Sequence, residues 1–168
     1  MGRSTQKDRI FLNMAGEFAV ASELNRRHVL ASVTYGASKA ADIFALSERM
    51  QRVVRIEVKT TDKKQWPLGK NIITSSQPLD VFWVLVHLPP PNQPPKFFVF
   101  SAQEIHNIWR KNTSEFERRY EAKHGNKYDQ SRGVPNVKFD DLVFPYEGQW
   151  DKIKNQLREP ERDSRPTE

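Results

Sequence analysis

Asp42, Glu57 and Lys59 are the residues whose types and spacing could do chemistry together in this chain of 168 residues. Ala41 to Leu46 and Val53 to Thr60 are both rich in β-forming residues, and the polar run Ser47 to Arg52 separates them, so they read as two antiparallel strands. A turn centred on Arg49 and Met50 makes the indices of opposed residues add to about 99, which sets Asp42 opposite Glu57. Side chains alternate along a strand, so Glu57 and Lys59 share one face while Ile56 and Val58 point the other way, into a core. Two carboxylates and one ammonium are thereby expected on one small patch.

Opposed carboxylates in a half-buried sheet repel each other and lose hydration unless a cation lies between them. Lys59 supplies one positive charge, and a divalent metal would supply two. Oxygen ligands on a rigid sheet suit Mg²⁺, with Mn²⁺ able to substitute, rather than Zn²⁺, and the chain has no cysteine. A metal beside a lysine can make a nucleophile from water and stabilise a pentavalent phosphate. The same three residues also fit a structural Lys-Glu pair on an exposed sheet face, with Asp42 in a turn.

The elements around this hairpin must position it. Residues 10 to 28 read as a helix with Ile10, Met14, Ala21 and Leu24 on one apolar stripe, Phe11 and Phe18 at its edge, and Glu17 within it. An ionisable group in a buried stripe needs a partner, and the patch on the sheet is the nearest candidate. The alternative is a glutamate at the stripe's solvent end, capping a loop amide or pairing with an arginine. Gly16 suggests close backbone approach, since a glycine inside a helix otherwise costs about 1 kcal/mol. Val29 to Tyr35 is a further strand, and Gly36 to Lys39 form a loop leading to Asp42.

After Thr61, the segment Asp62 to Lys70 reads as a loop at the edge of the patch. Lys63, Lys64 and Lys70 suit phosphate and Trp66 suits base stacking, although such a segment also serves as a plain connector. Leu79 to Leu88 is apolar on both faces, as a doubly covered central strand should be, which makes Trp83 a core residue. Pro89 to Pro95 turns the chain into the strand Phe97 to Phe100. Ser101 with Glu104 forms a capping box that opens a helix to about Lys123, buried through Ile105, Ile108, Trp109, Phe116 and Tyr120 and basic on its outer side. Little regular structure is expected from Gly125 to Tyr146, and Trp150 to Leu157 reads as a short helix.

Lys and Arg exceed Asp and Glu by 27 to 21, a net charge of +6. The pI is 9.6 and the mean hydropathy −0.75. A basic, polar chain of this kind favours a polyanionic partner. No apolar run approaches the roughly twenty residues of a membrane span, so a cytoplasmic protein without membrane attachment is expected. Zero cysteines exclude disulfides and thiolate metal sites. The expected organisation is an N-terminal arm over residues 1 to 9, one domain over 10 to 157, and a disordered tail over 158 to 168.

The pattern of Asp42, fourteen intervening residues and Glu57-Val58-Lys59, preceded by a helix carrying Glu17, resembles the PD-(D/E)XK nuclease superfamily. Residues 13 to 61 carry the likeness best, and within the superfamily they are similar to small endonucleases related to archaeal-type Holliday-junction resolvases. The residue before Asp42 is Ala41, where the motif's name has proline. The resemblance implies an α/β restriction-endonuclease-like fold, an αβββαβ-type core with a central mixed sheet flanked by helices. It also implies a metal-dependent endonuclease acting on nucleic acid, DNA first, in which Asp42, Glu57 and the Val58 carbonyl hold Mg²⁺. Lys59 would then stabilise charge on the phosphate and orient the attacking water, and Glu17 would complete the shell or recruit a second ion. By the same likeness Ser38 would position phosphate, although Ser38 and Lys39 also fit a plain solvated loop, and a homodimer is plausible. A non-catalytic nucleic-acid-binding module of the same fold, serving as a subunit of a larger assembly, is the competing expectation. A binder of acidic proteins is a third.

Overall fold

A computed structural model describes residues 5–35, 40–69, 72, 78–129, 133 and 135–158. The chain opens with α1 (Gln6–Asn25), followed by β1 (Leu30–Val33), β2 (Ile43–Leu46), β3 (Val53–Thr61), β4 (Gln65–Pro67), β5 (Val81–His87) and β6 (Lys96–Ser101). Then come α2 (Ala102–His124), β7 (Asn136–Lys138), a 3-10 turn at Phe144–Tyr146 and α3 (Asp151–Leu157). Five strands form one sheet in the order β1-β2-β3-β5-β6, and β4 pairs with β7 in a separate two-stranded sheet. The central β3/β5 pair is parallel and the other pairs are antiparallel, so the main sheet is mixed. The helix α2 follows β6 rather than standing between β3 and β5. That is the order of a helix, three strands, two strands and a helix that the apolar patterning gives.

Hydrophobic burial divides the sheet into two faces. Ile56 and Val58 of β3, with Phe82, Val84 and Val86 of β5, meet Val20 and Leu24 of α1 and Ile153 of α3. Trp83 and Leu85, one residue out of phase, meet Ile105, Ile108 and Trp109 of α2 with Trp66 of β4 and Val137 of β7. Strand β5 is therefore apolar on both sides because both are covered. The two-stranded β4/β7 sheet forms in two segments where no regular structure is expected from composition. Three-residue strands carry too little periodicity to be seen.

Helix α1 starts earlier than expected, at a capping box in which Thr5 accepts from the Asp8 N–H and the Asp8 carboxylate accepts from the Thr5 N–H. It stops at Asn25, and His28 turns the chain with a positive φ of 61°. Its buried face is Gly16, Val20, Ala21 and Leu24. Ala21 and Leu24 of the expected stripe are buried, whereas Ile10 and Met14, with Phe11 and Phe18 at its edge, are exposed, so only the C-terminal half of that stripe is a core contact. The reason lies at Gly16, where a Cβ would overlap Thr60 Oγ1 and stand 2.9 Å from Thr60 Cβ and Cγ2. The helix lies on β3 through its glycine, which rotates the larger side chains outward. Ser101 and Glu104 form the expected capping box of α2, which ends at Gly125 in a left-handed conformation, φ 70°. Phe116, expected inside, is 43% exposed. Residues 159–168 of the expected tail lie outside the described residues.

Candidate active site

The register Ile43↔Ile56, Phe44↔Arg55, Ala45↔Val54, Leu46↔Val53 is the one expected. Extending it one step sets Asp42 beside Glu57, and the Asp42 N–H donates to the Ile56 carbonyl at 3.1 Å. Beyond that point β2 has no more residues, while β3 runs on to Thr61. The Val58 N–H would be left without a ladder partner there, and the buried Asp42 carboxylate accepts it instead at 2.7 Å. A side chain thus takes the place of a strand.

Lys59 fills the space next to it. Its Nζ donates to the Val58 carbonyl at 3.3 Å and lies 3.8 Å from Asp42 Oδ2 and 3.7 Å from Glu57 Oε2. Both carboxylates lie beyond hydrogen-bond range, so the ammonium is shared between them by charge rather than bonded to one. Beneath it lies Trp83, whose ring centroid is 5.5 Å from Nζ. Trp83 is a core residue, as expected, but it also floors the site. Its role follows from the parallel register Glu57↔Trp83, which no local pattern reveals.

Three oxygens of different origin therefore surround one cationic centre: a carboxylate from the end of the β1–β2 connection, a carboxylate of β3, and a main-chain carbonyl. An all-oxygen set carrying two negative charges matches the preference of a hard divalent ion. Asp42, Glu57 and the Val58 carbonyl could hold one. Glu17 is half-buried on α1, next to the Gly16–Thr60 contact. Among the described residues no group of three Asp, Glu, His or Cys side chains is gathered for metal binding, so Glu17 does not close a cluster with Asp42 and Glu57. The helix α1 packs on the Ile56/Val58 face, whereas Glu57 and Lys59 alternate to the other.

Lys63 and Lys64 are exposed in the bend after β3, four and five residues past Lys59. The Lys63 N–H donates to Thr61 Oγ1 at 3.1 Å, which fixes that bend. At about 3.3 Å per residue both lie within roughly 17 Å of the site along the chain. Trp66 cannot serve as a stacking platform. It is fully buried, its Nε1–H donates to the Val86 carbonyl at 2.8 Å, and its ring meets Phe98 and Phe139. The alternation of exposed Gln65, buried Trp66, exposed Pro67 and buried Leu68 is the period-two signal that would have placed it. Ser38, Lys39 and Lys70 lie outside the described residues.

His87 is paired with Thr61 at the far end of the β3/β5 ladder and packs on Phe139, with ring centroids 4.7 Å apart. Burial pushes its pKa below the ordinary 6.5, and the Lys96 charge adds to the effect against a smaller opposing pull from Asp62. On the opposite edge of the hairpin, Arg55 grips Asp80 through two hydrogen bonds of 2.9 and 3.1 Å, tying β3 to the entry of β5.

A mixed five-stranded sheet flanked by three helices is an α/β architecture consistent with a restriction-endonuclease-like fold. The bacterial homing endonuclease I-Ssp6803I shares this architecture over 92% of this chain and 95% of its own, with a TM-score of 0.51 and 10% sequence identity. The Holliday junction resolvase Hjc of the archaeal hyperthermophile Archaeoglobus fulgidus aligns over 80% of this chain and 88% of its own, with a TM-score of 0.44 and 16% identity. No family model matches the chain, and no curated protein does. Among the described residues no helix is long and apolar enough to cross a membrane.

Proposed function

We propose that this chain is a Mg²⁺-dependent endonuclease that hydrolyses phosphodiester bonds in nucleic acid, DNA in the first instance. The observation that carries the reading is the seating of the Lys59 ammonium among Asp42 Oδ2, Glu57 Oε2 and the Val58 carbonyl. A bound divalent ion would supply Lewis acidity at a phosphoryl oxygen and a more acidic water. Asp42 is built to hold its place, because the Val58 N–H fixes one of its oxygens. Glu57, on the strand that continues past β2, offers the second charge. Lys59 is long enough to turn from these oxygens to a phosphate, where its ammonium would stabilise the extra negative charge of the transition state. Lys63 and Lys64 would neutralise neighbouring phosphates, in keeping with the net charge of +6.

Labelled duplex, single-stranded and four-way DNA incubated with Mg²⁺, Mn²⁺ or EDTA tests the reading. Cleavage with either metal, absent in EDTA and in Lys59→Ala, is the expected result. Equal cleavage by wild type and Lys59→Ala would remove the assignment. A second reading, a non-catalytic nucleic-acid-binding module, draws on the same ammonium, which offsets one of the two carboxylate charges without a metal. It predicts binding that EDTA leaves unchanged and no cleavage under any condition.

A further inference from the structure

Helix α2 outruns the sheet it packs on. Asn112 is its last buried residue, and the stretch from there to His124 carries it about 18 Å further. Ile105, Trp109 and Asn112 lie on its inward stripe, and the same spacing of three and four continues through Phe116, Tyr120 and Lys123, none of which is buried. The helix meets Trp83, the residue beneath Lys59, so this arm springs from the side of the sheet that carries the site. Its rings gather away from the core. Gly125 turns the chain at a left-handed φ of 70°, which brings Tyr128 back along the helix. The Tyr128 ring stands edge-on to Phe116 at 4.9 Å and to Tyr120 at 5.2 Å, and the His124 ring lies 4.4 Å from Tyr120, tilted by 32°. An edge-on ring fixes the tilt of its neighbours, so Phe116 and Tyr120 are held in place while Phe116 and His124 stay exposed.

We propose that this arm binds single-stranded nucleic acid, with unpaired bases stacked on Phe116, Tyr120 and His124 and phosphates held by Arg119 and Lys123, and so directs the site to substrates that carry an unpaired segment. The inference rests on the nuclease reading for its partner and adds to it a second contact and a substrate class. Residues 110 to 128 hold six Lys and Arg against three Glu, so half of the net charge of +6 falls on this one stretch. The placement of those charges decides more than their number. Arg119 is three residues past Phe116 and Lys123 three past Tyr120, so each cation shares a face with a ring. Glu115, Glu117 and Glu121 each adjoin a ring residue in sequence and therefore point about 100° away from it. The Arg119 Nε–H donates to the Glu115 carbonyl at 3.2 Å, which lays the guanidinium along the helix. Cations interleaved with rings suit a single strand, whose backbone needs neutralising and whose bases have free faces. A duplex keeps its bases stacked on one another and would use the cations alone. An acidic peptide would likewise leave the rings idle.

Fluorescence anisotropy of the full chain in EDTA, with a labelled oligothymidylate of about twenty nucleotides and a duplex of equal length, reads binding apart from cleavage. Phe116→Leu combined with Tyr120→Leu keeps apolar bulk against Tyr128 and removes the ring faces. This pair should lower the ratio of single-strand to duplex affinity at least about fivefold while keeping the unfolding midpoint. Arg119→Gln combined with Lys123→Gln, both exposed, should reduce the slope of log affinity for the single strand against log salt by about 1.4. An unchanged ratio in the leucine pair overturns the inference, and so does an unchanged slope in the glutamine pair. Displacement of the strand by poly-glutamate as readily as by unlabelled oligothymidylate overturns it as well, as does a wild type that binds or cuts duplex but does not bind the single strand. Each of these outcomes leaves the nuclease reading standing wherever Mg²⁺-dependent cleavage is seen. A chain that neither binds nor cuts any nucleic acid removes both.

Discussion

The Asp42 carboxylate occupies the position that a strand residue would hold, accepting the Val58 N–H at 2.7 Å where β2 stops and β3 continues. The bond separates two roles of one side chain. Asp42→Asn can still accept that hydrogen bond through its amide oxygen but carries no charge, so its stability in urea should stay within about 1 kcal/mol of wild type. Asp42→Ala leaves a buried N–H unsatisfied and should cost about 1–3 kcal/mol. Both should lose Mg²⁺-dependent cleavage. A fully active Asp42→Asn would show that the carboxylate is structural.

Gly16 and Thr60 make the corresponding contact on the other face. A methyl at position 16 would overlap the Thr60 side chain, so Gly16→Ala should destabilise by about 1–3 kcal/mol through overpacking, despite the better helix propensity of alanine. Thr60 Oγ1 is buried and has no hydrogen-bond partner among the described residues. Thr60→Val keeps the shape and removes that hydroxyl, so it should be neutral or stabilising by up to about 1 kcal/mol. Urea denaturation of the two variants and their combination measures both effects. A Gly16→Ala variant as stable as wild type would mean that the helix can lift off β3 at no cost.

The hairpin was legible because its signals are local. β-formers on either side of a short polar turn fix the register, and the register fixes which side chains share a face. The capping box at Ser101 and Glu104 was legible for the same reason. The face of α1 was legible only at Ala21 and Leu24, because apolar periodicity also enlists Ile10 and Met14 while the contact in that half of the helix is set by the absence of a side chain at Gly16. Trp66 failed differently. A charged, proline-containing segment reads as a loop, and only pairing with β7, about seventy residues downstream, makes it a strand with an inward tryptophan. Glu17 depends on how a helix sits over a sheet, a tertiary quantity that spacing along the chain does not contain.

Trp66 itself gives a prediction that separates core from surface. Its burial against Phe98 and Phe139, with the indole N–H spent on Val86, implies that Trp66→Ala costs about 3–5 kcal/mol. Trp66→Phe should cost less and leave DNA affinity unchanged in a filter-binding or anisotropy assay. A Trp66→Phe variant that keeps its stability but loses DNA binding would restore the surface role.

His87 links stability to pH within the ordinary working range. Its pKa is depressed in the folded protein, first by burial against Phe139 and then by Lys96, whereas in the unfolded chain it titrates near 6.5. The unfolded state therefore binds the proton more tightly, and falling pH favours unfolding. The loss begins as pH drops through 6.5 and stops once the folded-state histidine is protonated as well, at a lower pH. In His87→Gln this component disappears. The difference in unfolding free energy between wild type and variant should be constant above about pH 7.5 and should move against wild type as the pH is lowered to about 5.5. The other histidines and the carboxylates cancel in the difference. Urea titrations of both proteins across this range would show it, and a gap that does not change with pH would mean that His87 titrates alike in the two states.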